Sequence, residues 1–475
     1  MNAIVVVANG LHVGYLGCYG NEWVRTPALD ALAAGAVVFD QCFVDCPEPL
    51  AVHRSWWTGR SAFPAALADE AAAAPAPENA VAGAAPFKDV TPLAQQFTPG
   101  PVRTALVTDN WLLHAHAPAV ERLFDDVHWI RGQASDRFVG PREVTVRVDD
   151  APDLRLPPAE HPSHEQARQR WEQYLRNRTR IHNEEDTHAA RVVGAAVDWL
   201  RHDAGANSFL LWLELFDPHA PWDAPEPYRS MYAQDEDYEG VPALVDVAAG
   251  TTADDLTELE LERLQRTYAG EVTLVDRWLG ALFESMQESN LLEETLLLVT
   301  SGHGVAFGEH GTIGYEPRHL YEEMVHVPLF VRLPARAAGA VLARCGALVQ
   351  SIDILPTLVD WFGAAELSGR CEAGGTGVQG AGLLRLANGG ANGLRHFGLG
   401  GVVVQPAGAP SYCEWSIRSR QWHLLVEDPP PGLATRPRRR LYIKPEDRWD
   451  LADVADQYPD VVDRLEGELR SRVER

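Results

Sequence analysis

Cysteine is scarce in this chain: six (Cys18, Cys42, Cys46, Cys345, Cys371 and Cys413) among 475 residues, with no CxxC pairing. Reduced thiols in a cytosolic protein are the expected state. Basic side chains are also in deficit, 41 against 67 acidic ones, for a formal net charge of −26. Long-range repulsion on that scale disfavours nucleic acid, anionic membrane surfaces and polysulfated glycans as partners. No apolar run reaches the roughly 18–20 residues that span a bilayer. The opening "MNAIVVVANG" has no basic stretch ahead of its apolar run and no small-residue cleavage site, so a cytoplasmic location is expected as the sequence stands. A trimmed leader would make the location periplasmic or secreted. What the chain does have is ordinary core material, 46% hydrophobic, in a length too great for one small domain.

The pattern along the chain alternates strands and helices. Ala3–Ala8 is a continuous apolar run ending in Asn9-Gly10, the mark of a buried parallel strand followed by a turn. Thr26 and Pro27 open a short helix that Gly35 closes, and Val37–Phe43 reads as a second strand. Further strands are expected at "VRTALVTDNW" (102–111), "SFLLWLELF" (208–216) and "TLLLVT" (295–300). Helical spacing marks 188–203, and Leu264, Tyr268, Val272, Val275, Leu279, Leu282 and Met286 recur at intervals of three and four. Residues 140–186 read as an irregular surface excursion. The Ala/Pro-rich stretch at about 64–88 reads as a surface insertion. Beyond residue 390, Gly-rich connections and short strand-like runs predict a small antiparallel subdomain closed by a helix near Asp460–Val473.

The fold class this predicts is α/β: a large, mostly parallel sheet flanked by helices, over 1–390, with a small C-terminal α+β subdomain over 391–475. Ligands of such sheets sit outside the carboxyl ends of the strands. Four strand exits carry polar clusters: Asn9-Gly10, "VDCPEPLAVHR" after Phe43, His219, and Gly302-His303 with Glu309-His310. Spacing alone goes no further.

The motifs do. "GYLGCYGNEWVRTPALDALAAGAVVFDQCF", "SWWTGR", "RTALVTD", "FDPHAPWDAPEPY", "YAGEVTLVDRWLG", "GHGVAFGEHG" and "LYEEMVHVPLFVRLP" run in order through the chain. It closes on "RWDLADVADQYPDVVDRL". Together they resemble the sulfatase family of the alkaline-phosphatase-like superfamily. "VTDNWLLHAH" and "VHWIRGQASDRF" point to a bacterial-type subgroup. The resemblance implies that fold and a sulfuric ester hydrolase. Its site would hold calcium on three aspartates and an Asn or His, with a Cys or Ser oxidised to formylglycine as nucleophile in a C/S-x-P-x-R motif. Calcium wants hard, mostly anionic oxygens, and sulfate transfer needs cations around the developing charge.

Measured against that pattern, this chain departs at nearly every such position. The expected Asp-Asp after the first strand is Asn9-Gly10, and the expected Asp before His303 is Gly302. Asn9 and His303 are the residual metal positions, and two neutral groups make a poor calcium site. Counting back from Thr58-Gly59-Arg60, the nucleophile position falls on Pro49, the motif proline on Ala51 and its arginine on His53. Tyr315 stands where a lysine is expected. His219, in "DPHAP", is the substrate-contacting group retained.

Cys46 does not rescue the motif, because Glu48 and Leu50 occupy the proline and arginine offsets; a partly buried thiol is expected. His303 reads as held by backbone, and Glu309-His310 as ordering their loop. Arg436–Arg440 ("RPRRR") reads as a solvated loop. Two functions remain in view. One is a catalytically degenerate sulfatase homologue without cofactor, whose crevice takes a small sulfated or anionic ligand. The other is an active sulfuric- or phosphoric-ester hydrolase working through His53, His219, His303 and Glu309. The oligomeric state and the natural ligand stay open.

Overall fold

The described residues of this computed structural model are 1–473 except 64–86, 89, 98–99, 152–153, 157–158, 160–163, 206, 234–243, 246–251, 316–318, 335–342, 364–377, 391–392, 405–410 and 431–435. The expected insertion lies mainly outside them. Its described end, Phe87, is buried against Trp57 with ring centroids 5.0 Å apart, so that end is anchored and does not belong to a surface segment.

A large, mostly parallel sheet of eight strands is built from β1 (Asn2–Ala8), β2 (Val37–Phe43), β3 (Val102–Thr108), β4 (Asp126–Trp129), β5 (Ser208–Leu215), β6 (Thr295–Thr300), β7 (Leu329–Arg332) and β8 (Arg344–Gln350). Their order is β8-β2-β7-β6-β1-β5-β3-β4. A separate antiparallel sheet follows, β9 (Gly398–Val404) to β12 (Arg438–Ile443), with β10 (Tyr412–Arg418) and β11 (Trp422–Asp428) between. By their contacts the residues group into two compact units interleaved along the sequence. The first is Met1–Ala36, Val102–Glu316 and Phe330–Ala338; the second is Val37–Pro101, Pro317–Leu329 and Gly339–Arg475.

In the first unit, Ala3–Ala8 of β1 are fully buried, which is why the run carries no polar alternation. The strand pairs in parallel with β5 on one side and β6 on the other. The helices of this unit include α1 (Pro27–Ala34), α2 (His164–Arg178), α3 (His188–His202) and α4 (Glu258–Glu288). The start of α4 is fixed by a capping box: Thr257 Oγ1 accepts from Glu260 N at 3.3 Å, and Glu260 Oε2 accepts from Thr257 N at 2.8 Å. Thr187 caps α3 by a single bond, its Oγ1 accepting from Ala190 N at 3.4 Å. α4 packs against α1 and α3.

α2 corrects the reading of 140–186 as irregular. Its buried positions, Ala167 and Trp171, are four apart, and the half-buried Tyr174 and Leu175 continue the stripe against Val148. Dense charge on the remaining faces hid that stripe. Among the described residues no helix is long and apolar enough to cross a membrane.

The second unit holds the parallel pair β2–β8 and the antiparallel sheet. The sheet's apolar face, with Trp415, Ile417, Leu424, Val426 and Leu441, packs on Val462, Leu465 and Leu469 of the terminal helix α5 (Pro459–Val473). Its other side carries buried charge. Glu322 pairs with Arg418 and with Lys444, whose Nζ stands 3.0 Å from it and 2.6 Å from Asp450. Asp450 also meets His423 Nδ1 at 2.9 Å. Arg440 departs from the solvated loop expected of "RPRRR". It sits in β12, buried, 2.5 Å from the fully buried Glu414, because the alternation of a strand turns every second side chain inward.

Candidate functional site

The exits of β1, β3, β5 and β6 meet in the first unit. Asn9 leaves β1 with its backbone N–H on the Leu215 carbonyl (3.0 Å) and its Nδ2 on Glu214 Oε1 (2.8 Å). Asn110, beyond β3, donates to the same oxygen at 2.7 Å. The side chain of Asn9 is therefore a donor to a buried carboxylate. Gly10 turns at φ +78°, and its carbonyl accepts from the Tyr268 hydroxyl at 2.6 Å. That hydroxyl in turn accepts from His12 N at 2.9 Å. Ser301 closes the other side, accepting from Leu11 N (3.1 Å) and donating to the His303 carbonyl (2.7 Å).

Three rings stand together here. His303 and Tyr315 have centroids 4.3 Å apart, His219 and Tyr315 5.2 Å, and His219 and His303 5.2 Å. Each histidine spends its Nδ1 on the carbonyl of the next residue, Ala220 and Gly304, both at 2.7 Å. Burial lowers the His219 pKa to about 4. Burial, then the neighbouring His219, lowers that of His303 to about 3. At neutral pH both are uncharged imidazoles. Glu309 braces its own loop, accepting from Phe307 N at 2.6 Å.

The space beside Gly10 decides what this crevice can hold. A Cβ at Gly10 would lie 3.3 Å from the His219 backbone and 3.4 Å from the His303 ring, on a backbone conformation that L residues avoid. A side chain there would be strained by its backbone conformation and would crowd the His219 backbone. Asn9 and His303 are both neutral groups, and among the described residues no three His, Cys, Asp or Glu side chains could hold a metal ion. These residues do not fit calcium. Gly10→Asp is accordingly expected to lose about 1–3 kcal/mol from left-handed strain and crowding, read by urea denaturation. Added calcium should restore none of it; calcium-dependent recovery would refute the crowding argument.

In the second unit, Pro49 is the first residue of the helix Pro49–Thr58. The position expected of a nucleophile is thus a helix start with no reactive atom. His53, one turn on, is buried, bonds the Pro49 carbonyl through Nδ1, and packs its ring on Trp56 and Trp57 at 5.0 and 5.1 Å. Cys46 is buried and in no disulfide. Beside it Asp45 accepts from Ser55 Oγ (2.9 Å), Ser61 Oγ (3.0 Å), Ala62 N (2.8 Å) and Ser351 Oγ (2.5 Å), locking this segment.

Glu214, Tyr268 and Asp45 escaped the sequence reading. Glu214 had a signal: it is the one acidic residue inside the apolar run "SFLLWLELF". Tyr268 had none beyond its place in a helical stripe.

A family model described as Sulfatase matches residues 128–364. The multifunctional alkaline phosphatase superfamily protein PehA of Trinickia caryophylli is 29% identical over 182 residues, 33% of this chain and 34% of that protein. Human iduronate 2-sulfatase is 22% identical over 381 residues, 71% of this chain and 60% of that protein. The chain thus spans less than two thirds of either relative. The solved phosphonate monoester hydrolase of Agrobacterium radiobacter superposes with a TM-score of 0.67 at 19% identity, covering 99% of this chain and 95% of that one. The chain belongs to the sulfatase / alkaline-phosphatase-like superfamily. At such identity the structural likeness establishes the shared sulfatase fold alone.

Proposed function

We propose that this chain is a sulfatase-family protein that has given up ester cleavage and keeps its crevice as an uncharged pocket for a small sulfated or anionic ligand. The observation that carries the reading is Gly10. Where the family's carboxylate side chain would start, the backbone is left-handed and a Cβ would already touch the His219 backbone at 3.3 Å and the His303 ring at 3.4 Å. Pro49 adds the loss of any nucleophilic atom, and Tyr315, against both histidines, replaces a cation with an aromatic face. His219 is the group we assign to ligand contact, as a neutral imidazole.

The purified protein is expected to show no turnover of aryl sulfates, phosphate monoesters or phosphonate monoesters. Turnover that His219→Ala abolishes would reinstate an active hydrolase. Metal binding gives an independent check. A calcium site saturated a hundredfold above its Kd stabilises a fold by about 2.7 kcal/mol, which for a protein of this size is a shift of several degrees. Here millimolar calcium and a chelator should leave the melting temperature within about one degree of each other.

A further inference from the structure

Ser416, His423 and Asp450 form a linked set in the second unit, on the side of the antiparallel sheet that carries its buried charge. In the register of β10 and β11, Ser416 stands opposite Leu425 and Arg418 opposite His423, so Ser416 and His423 are diagonal neighbours on one face. Ser416 Oγ lies 2.9 Å from His423 Nε2, and His423 Nδ1 lies 2.9 Å from Asp450 Oδ2. The direction of both bonds follows by elimination. Burial would raise the Asp450 carboxyl, but the His423 Nδ1 bond and the Lys444 ammonium, 2.6 Å from Oδ1, lower it. An ionised carboxylate only accepts, so Nδ1 carries the ring proton. Burial keeps that ring neutral, which leaves Nε2 as the acceptor of the Ser416 hydroxyl.

These are the parts of acyl transfer: a hydroxyl, a neutral base within hydrogen-bond reach of it, and a carboxylate that orients the base and stabilises its charged form. The second observation is a cavity of about 10 Å³ in the same unit, with Ser416 and His423 in its wall beside Arg418 and the apolar Phe43, Leu320 and Val325. Room of that size takes about one water molecule. Ser416 keeps 7% exposure, so the approach to it is narrow. Arg418, two residues along β10 on the same face, brings a positive charge to that wall and is held by Glu322.

We propose that Ser416 is the nucleophile of a second site, one that cleaves small activated carboxylic esters, with His423 as its base and Asp450 orienting that base. Ser416 Oγ forms a bond to the ester carbonyl carbon while its proton passes to His423 Nε2. The bond to the leaving alcohol then breaks, and the alcohol oxygen takes the proton from Nε2, leaving an acyl-serine. Water repeats the sequence: its oxygen bonds the acyl carbon, its proton passes through Nε2 to Ser416 Oγ, and the free acid leaves. Arg418 supplies positive charge near the developing oxyanion. The space beside Ser416 limits the acyl group to about the size of acetyl. The activity is separate from the sulfuric-ester cleavage that the crevice has lost and does not rest on that reading.

The full chain treated with p-nitrophenyl acetate and with p-nitrophenyl hexanoate at neutral pH tests this. With the acetate, the parent should release nitrophenolate at least tenfold faster than Ser416→Ala, and peptide mass spectrometry should place the acetyl group on Ser416. The hexanoate should react at least tenfold more slowly than the acetate. His423→Gln should lose the acetylation too if it folds, and Ser416→Ala, which removes a single oxygen, suffices if it does not. Equal release by a folded Ser416→Ala variant, acetyl groups found only on other side chains, full acetylation in a folded His423→Gln variant, or hexanoate as fast as acetate would overturn the proposal.

Discussion

Lys444→Met is expected to cost about 3–5 kcal/mol, the loss that follows when one member of a buried ion-pair group is removed and its partner stays. Arg418 and Lys444 balance Glu322 and Asp450, and all four are buried. His423 does not add a charge, because burial lowers its pKa. Methionine keeps the length and apolar stem of lysine, so the effect isolates the ammonium. Lys444 also donates to the Asp447 and Arg448 carbonyls at 2.6 and 2.9 Å, and those bonds go with it. The sign with pH is specific. In the native protein burial would raise the Glu322 carboxyl, but the Arg418 charge, the hydrogen bond to His326 and the Lys444 charge hold it well below its ordinary value. Against burial, the hydrogen bond from His423 Nδ1 and the Lys444 charge lower the Asp450 carboxyl as well. Depressed carboxyls stabilise the fold above their unfolded pKa near 4, and that stability is lost as pH falls through the folded pKa. The variant's stranded carboxylate should instead take up a proton, so its deficit against the parent shrinks toward pH 4. Urea denaturation at pH 7 and pH 4.5 measures both. A loss under 1 kcal/mol at pH 7 would sink the idea that this network is a balanced unit.

His303→Phe should flatten the protein's acid sensitivity. The His303 pKa of about 3 lies below an unfolded value near 6.5. Above pH 6.5 neither state holds the proton and the group contributes nothing to the pH dependence. As pH falls from 6.5 toward 3, the unfolded chain takes up a proton that the folded crevice refuses, and stability drains away. By pH 4 this amounts to about 3 kcal/mol. Phenylalanine cannot titrate, and its ring can replace the imidazole against Tyr315. At pH 7 the variant loses only the Nδ1 bond to Gly304, about 1 kcal/mol. Relative to the parent it should therefore be slightly weaker at pH 7 and stronger at pH 4. Parallel stability curves for the two proteins would mean His303 is not the buried neutral base described here.

Much of the framework was legible in the chain. Ala3–Ala8, 209–213 and 296–299 carry unbroken apolar runs because both faces of those strands are covered, and the α4 stripe declares its own helix and cap. The residue types at Asn9, Gly10, Pro49 and Gly302 were equally plain, and the family resemblance is what sets them at motif positions. α2 was not legible, because the dense charge along it masks its few buried positions, Ala167, Trp171 and Asn177; nor was Arg440, whose inward turn depends on strand register.

The sequence by itself determined several of the strands and helices, the superfamily resemblance, and which residue types stand at positions 9, 10, 49 and 302. Those follow from local periodicity and from residue identity. Tertiary structure alone decided that Gly10 is closed in by His219 and His303, that Asn9 turns to Glu214, and that His423 meets Asp450. Those contacts join residues tens to hundreds of positions apart, and no short-range pattern encodes which distant side chain fills a space or faces a charge.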